Sequence, residues 1–277
     1  MSASTDAQGA VRRTAGAVQD AAESKPLGWA ARAGLTARGL VYLLVGVLAL
    51  LVARGGQAHV DQKGALAQVL ARPGGGWVVG AMAVGFAGYA LWRLSEAAFG
   101  VTGEGRKVMP RVQSLVRGLV YAGLAVVAVE LLLGSRTPQS TQQRDLTAQV
   151  MQHPGGRLFV GLMGAAVAVT GLVLAWQGLR AQFMKYFPQG ALSPGVRKTA
   201  LVLGRVGNVG RGLVFALAGV LVVSAAWTYD PGKAGGLDAA LKTLRDQPYG
   251  GLLLALVALG LIAFGVYGLI EARYRRV

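Results

Sequence analysis

Three pairs of arginines are the residues best equipped for chemistry in this sequence: Arg32 with Arg38, Arg111 with Arg117, and Arg205 with Arg211. Each pair sits in the same surroundings. An arginine comes first, five variable residues follow, and then Arg-Gly-Leu-Val-aromatic: RAGLTARGLVY at 32–42, RVQSLVRGLVY at 111–121 and RVGNVGRGLVF at 205–215. A guanidinium presents five N–H donors in a planar fork and stays charged throughout the physiological range. Six of them lining one vestibule would suit an anion, above all a lipid headgroup. A plainer role ranks ahead of it, in which each arginine marks the end of a membrane helix and snorkels to lipid phosphate.

A second set keeps register with the first. Pro73 follows Arg38 by 35 residues, while Pro154 and Pro248 follow Arg117 and Arg211 by 37. Counting 23 residues on from each proline reaches Glu96, Gln177 and Glu271. This spacing predicts a clasp within each repeat: Arg38 with Glu96, Arg211 with Glu271, and Arg117 with Gln177 as a neutral variant. In a wet headgroup layer each pair would contribute only ~0–1 kcal/mol. Glu130 is the acid lying well inside an apolar block, and an intramembrane ionisable group is a functional-site hypothesis by default. It also lies about one turn from the end of that block, within reach of outer water. His59 and His153 fall in links between apolar blocks, and zinc sites usually need three or four protein ligands. No metal or cofactor site is expected, and no catalytic set: the spans hold no paired carboxylates, histidine cluster or nucleophile–base pair.

The elements that must position these residues are membrane helices. Hydrophobic residues make up 53% of the 277 and charged residues 14%, too few to cover a soluble globule of this size. The apolar residues fall in six blocks, at about 36–53, 77–94, 115–133, 158–176, 206–227 and 252–270. Each is long enough to cross a hydrocarbon layer ~30 Å thick. The net charge of +16 would suit nucleic acid, but its basic residues lie between the apolar blocks rather than on a soluble face, so no nucleic-acid partner is expected. The absence of cysteine excludes disulfides and thiolate chemistry.

The chain therefore divides into a polar tail at 1–27 and three two-helix repeats at 28–102, 108–183 and 203–275. The tail carries a weak stripe of Val11, Ala15, Val18 and Ala22 and does not read as a cleavable signal. Within each repeat the link contains aliphatic residues three or four apart: Leu66, Val69 and Leu70; Leu146, Val150 and Met151; Leu237, Leu241 and Leu244. Each predicts a short helix in the interface. Small residues four apart, Gly76 with Gly80, Gly118 with Ala122, Gly161 with Ala165 and Gly212 with Ala216, predict close helix packing.

Nineteen of the 28 Lys and Arg residues lie on the side of the tail and C-terminus, and nine in the three links. That excess predicts both termini in the cytoplasm, with the three repeats sharing one orientation around a pseudo-threefold axis. The tandem Arg-Gly-Leu-Val-aromatic motifs and the Pro-Gly-Gly turns resemble the family called domain of unknown function 1206. The resemblance covers about 28–275. It implies a bacterial inner-membrane protein, of a kind common in actinobacteria, built from three tandem two-helix units, and it brings no activity or catalytic residue. The expectation is an all-α, six-helix membrane protein that is not an enzyme. It would be a scaffold or interaction module engaging membrane lipids, the anionic ones at its basic face. The alternative is a small channel or transporter with a pathway on the axis.

Overall fold

A computed structural model describes residues 25–100, 108–188 and 190–275. The stripe at 11–22 lies outside the described residues. Six long helices are apolar enough to cross a membrane: α1 (Lys25–Ala53), α3 (Gly75–Phe99), α4 (Val108–Leu132), α6 (Gly156–Leu179), α7 (Pro194–Thr228) and α9 (Gly250–Tyr274). The chain is a multi-pass membrane protein. The three links contain the short helices α2 (Gln62–Leu70), α5 (Gln139–Met151) and α8 (Gly236–Arg245). α1 begins at Lys25, so Pro26 occupies its first turn, where a missing N–H costs little. The 35 residues of α7 make a rod of ~50 Å, well beyond one hydrocarbon thickness.

The three most extensive helix contacts join different repeats. The closing helix of repeat 1 packs on the opening helix of repeat 2 (α3 on α4), repeat 2 on repeat 3 (α6 on α7), and repeat 3 back on repeat 1 (α9 on α1). Contacts within a repeat are smaller for α1–α3 and α7–α9, and α4 and α6 make no comparable contact. The six helices thus follow a cyclic three-repeat plan drawn as an arc, α4-α3-α1-α9-α7-α6, that stays open within the second repeat.

The motif glycine explains why these seams form. A Cβ on Gly39 would lie 2.9 Å from the Gly265 carbonyl oxygen, and one on Gly118 would lie 2.8 Å from the Leu94 side chain. On Gly212 it would lie 2.6 Å from the Gly171 carbonyl oxygen and from the Ala175 nitrogen. The Gly of each Arg-Gly-Leu-Val motif is therefore the point where an opening helix meets the closing helix of another repeat, backbone against backbone. The expected small-residue pairs divide on this test. Gly118 and Gly212 are seam positions, whereas Gly80 has nothing within 4 Å and Gly161 makes only an ordinary 3.6 Å contact with Ala226. On α6 the seam runs instead through Gly164, Gly171 and Gly178, seven residues apart.

The Pro-Gly-Gly turns are equally physical. Gly74 (φ +75°) and Gly155 (φ +76°) take the left-handed conformation that starts α3 and α6, and Tyr249 (φ +59°) takes it before α9. The next glycine in each copy (Gly75, Gly156, Gly250) sits against the main-chain carbonyl of Val69, Val150 or Arg245, leaving no room for a side chain.

At the link end the three short helices meet. The Val60 N–H donates to Asp238 at 2.8 Å, and the Lys63 N–H to Gln139 at 3.2 Å. Glu130 is part of this cap. It accepts from Lys63 Nζ at 2.9 Å and from Gln142 at 3.3 Å, and the Lys63 side chain is only 3% exposed. The structure gives Glu130 a tying role between α4 and α2, with its carboxylate already committed to a buried ammonium.

Replacing Gly212 by leucine should destabilise the protein by about 2–3 kcal/mol through overpacking at the α6–α7 seam. Gly80→Leu should stay within ~0.5 kcal/mol. Thermal unfolding in detergent distinguishes the two.

Candidate functional site at the motif end

The two arginines of each motif do different things. In two of the three motifs the first binds the C-terminus of the closing helix on which its own helix packs. Arg32 Nη1 donates to the carbonyls of Arg273 (2.7 Å) and Ala272 (3.4 Å) at the end of α9. Arg111 donates to Ala97 (2.7 Å) and Ala98 (3.0 Å) at the end of α3. The last carbonyls of a helix have no partner within it and carry its negative dipole end, so a guanidinium satisfies both needs. Arg205 makes no such bond among the described residues. The six arginines therefore do not line a common vestibule, because two of them cap helices.

Two of the second arginines, Arg38 and Arg211, turn inward, into aromatic rings. The Arg38 guanidinium lies 5.3 Å from the Phe264 ring. Arg211 lies 4.8 Å from the same ring, 5.1 Å from Phe215 and 5.4 Å from Tyr42. Arg38 and Arg211, from different repeats, thus share Phe264 of α9. Arg117 is half-buried and has no ion pair or side-chain hydrogen bond among the described residues.

The expected clasps are replaced by pairs across the seams. Glu271 binds Arg38 of the first repeat at 2.5 Å, not Arg211 of its own, and it also accepts from Arg275. Glu96 binds Arg93 at 2.6 Å, one turn away, and accepts from Ser114 of α4 at 3.0 Å; it does not reach Arg38. Gln177 makes no bond to Arg117, since α4 and α6 do not pack together. The cause is the packing order. The closing helix of each repeat faces the opening helix of another, so its polar end points across that seam.

Arg93, Arg275, Ser114 and Tyr89 belong to the site although the register between repeats does not reveal them. Helical spacing does reveal the first two. Arg93 lies three residues before Glu96 and Arg275 four after Glu271, on the same helix faces. Leu174 and Ala181 stand at those two offsets from Gln177; Arg180, three residues after it, faces no carboxylate there and lies over the Trp176 ring. Arg93 also donates to the Tyr89 hydroxyl at 2.9 Å and lies 4.3 Å over Trp92. Tyr89 in turn stacks 4.3 Å from the motif tyrosine Tyr121.

The buried motif end, taken across its seams, holds more positive than negative charge. Four arginines (Arg38, Arg93, Arg211, Arg275) face two carboxylates (Glu96, Glu271), and both carboxylates are buried. Arg38 Nε, Arg93 Nη2 and Arg211 Nε are buried with no hydrogen-bond partner. Buried ions are ordinarily paired, because desolvation costs several kcal/mol per ion. Aromatic faces offset part of this cost for Arg211 and Arg38.

The link end has its own acid pair. Asp61 Oδ1 accepts the Gly64 N–H at 2.7 Å and caps α2, while Asp61 Oδ2 is buried without a partner. Asp238 holds Lys242 at 2.8 Å, with the ring of His59 at 3.8 Å. Among the described residues no three His, Asp or Glu side chains converge as a metal site requires.

Comparison with known proteins bears on both ends. The model of the family described as Domain of Unknown Function (DUF1206) matches residues 33–100, 112–181 and 206–275. The chain belongs to this family. Each family match starts immediately after the first arginine of a motif and runs through the link and closing helix. The chain is also 32% identical over 249 residues to the protein named Uncharacterized protein YxxB of Bacillus subtilis (strain 168), covering 89% of this chain and 90% of that one. No solved structure matches it. The family description and the relative's name state no activity, so the site has to be read from its own geometry.

Removing the Glu271 carboxylate while keeping its shape, Glu271→Gln, leaves Arg38 and Arg275 buried without a counter-charge. It should cost about 3 kcal/mol, against ~0.5 kcal/mol or less for Gln177→Leu, measured by thermal unfolding in detergent.

At the link end, burial pushes the Asp61 carboxyl above its ordinary range; the Gly64 N–H works against this and Asp238 adds to it. A carboxyl whose pKa is raised on folding contributes stability below its unfolded pKa and loses it as pH rises through the folded value. Asn keeps an acceptor for Gly64 without the buried charge. Asp61→Asn should therefore melt above wild type at pH 7, with the gap closing toward about pH 4.

Proposed function

We propose that this protein is a non-enzymatic module of the bacterial cytoplasmic membrane, with its motif end facing the cytoplasm and binding an anionic, phosphate-bearing lipid headgroup. One observation carries the reading: the buried seam has two more guanidiniums than carboxylates, with three N–H groups unpaired. An anion there would accept those hydrogen bonds and balance the charge. The orientation draws on the excess of Lys and Arg on the motif side, since cytoplasmic loops of membrane proteins carry more of both. The non-enzymatic reading draws on the carboxylates, which are buried and held in ion pairs with arginines.

A pathway along the axis finds less support. Phe264 packs edge-on against Tyr42 at 4.8 Å, and Tyr89 against Tyr121 at 4.3 Å, so rings occupy the space between the helices at the motif end.

Ligand-dependent stabilisation tests the reading. A short-chain phosphatidic acid should raise the melting temperature of the purified protein, and the matching phosphatidylcholine should not. Arg211→Met, which keeps a long apolar stem against the rings, should abolish the rise while remaining folded. An equal effect of inorganic phosphate would identify a soluble anion as the ligand. No shift with either anion would overturn the proposal.

A further inference from the structure

The three first arginines occupy equivalent positions, yet only two are bound. Arg32 and Arg111 close the ends of α9 and α3. At the corresponding end of α6 the Gly178 carbonyl, the counterpart of Ala97 and Ala272, is already taken by the main chain. Arg180 N–H donates to Trp176 and Ala181 N–H to Gly178, each at 3.0 Å, as the chain turns into the 3-10 segment Gln182–Tyr186. Arg205 is exposed and makes no hydrogen bond or ion pair among the described residues.

Toward the middle of the membrane from Arg205, the surface is hollow. α7 and α9 touch at Gly210 and Gly260, where a Cβ on Gly210 would lie 2.9 Å from Gly260 Cα. The two missing side chains leave a groove of about 350 Å³, walled by Val206, Leu213 and Leu256 and open to the surroundings, with Arg205 at one end as its charged residue. Eight residues of α7 separate Arg205 from Leu213, a rise of ~12 Å. One leaflet of hydrocarbon is ~15 Å deep, so the groove spans most of a leaflet and has its cation at the headgroup end. Lys198, also exposed, lies seven residues before Arg205, two turns further out on the same face of α7.

We propose that this groove binds one anionic phospholipid, an acyl chain lying over Gly210 and Gly260 and the phosphate held by Arg205. The volume favours a chain over a protein helix, because a helix ~10 Å across would displace roughly 900 Å³ over the same length. The charge favours an anionic headgroup, since nothing else among the described residues neutralises Arg205. The hollow beside Arg111 is smaller, about 210 Å³, and its arginine is already bound to carbonyls. The symmetry of the repeats is thus broken at one copy in the way a lipid site requires. The groove faces outward from the arc and is separate from the buried seam around Arg211.

Native mass spectrometry of the full chain tests this, using an equal mixture of phosphatidylglycerol and phosphatidylcholine with identical acyl chains. Beyond any lipid held at the seam, wild type should retain one at the groove and prefer phosphatidylglycerol there about fivefold, the effect of roughly one basic residue near the surface. Arg205→Ala should remove that added preference. Val206→Trp, and independently Leu256→Trp, should reduce retention of both by filling the groove. All three positions are exposed or at the rim, and an unchanged circular-dichroism melt identifies the folded variants. Arg211→Met should keep the Arg205-dependent preference; if it instead loses that preference, the lipid belongs to the seam and the groove proposal falls. Unchanged preference in Arg205→Ala, full retention in both tryptophan variants, or displacement of the lipid by inorganic phosphate alone would overturn it too.

Discussion

The close backbone contact at the motif glycines governs the rest of this molecule. Gly39, Gly118 and Gly212 each let an opening helix press against the closing helix of another repeat. In a membrane there is little hydrophobic force between helices, so close packing and interhelical polar contacts decide which helices pair. The arginine one residue before each glycine is carried into or beside that seam. Arg38 consequently meets Glu271, more than two hundred residues away in the chain. The cyclic pattern of α3 on α4, α6 on α7 and α9 on α1 is the same rule applied three times.

Electrostatics follow from that packing. Carboxylates at the ends of α3 and α9 are covered by the neighbouring repeat and need a cation at short range, and each has one within a turn of its own helix. Where the closing helix ends in Gln177 there is no carboxylate to pair, although Arg180 lies one turn further on and α7 packs along the helix. The second repeat is therefore the place where both the charge pattern and the ring of helices are interrupted. Its helices α4 and α6 have the smallest buried share of the six, 22% and 17% over their most apolar stretches.

The three repeats depart from symmetry at particular residues. Identical repeats would give three capped helix ends and three equivalent ion pairs. Instead, Arg205 is released by the turn that follows α6, Tyr249 replaces the first glycine of its turn, and Lys63 from the first link reaches Glu130 in the second repeat. The motif itself is mainly a packing device, and the motif-opening arginine left without a partner among the described residues lies where one copy differs from the others.

The sequence by itself determined the number of membrane helices, their link-side limits, the short link helices and the threefold repeat. These follow from block length, local periodicity and register, which act between near neighbours in the chain. At the motif end α1, α4 and α7 begin at Lys25, Val108 and Pro194, well before the apolar blocks at 36, 115 and 206. Arg93 and Arg275 were also within reach, through their spacing from Glu96 and Glu271. The partner of each arginine was not. Because the repeats share the same local signals, Arg38 could face Glu96 or Glu271 equally well on spacing alone. That choice is made by shape complementarity between helices far apart in sequence, at positions such as Gly39 against Gly265. Likewise, the release of Arg205 depends on how the chain turns after α6, and the groove beneath it on two glycines from different helices meeting. Only the tertiary structure brings those together, because helix-to-helix packing has no signature in the local pattern of a single helix.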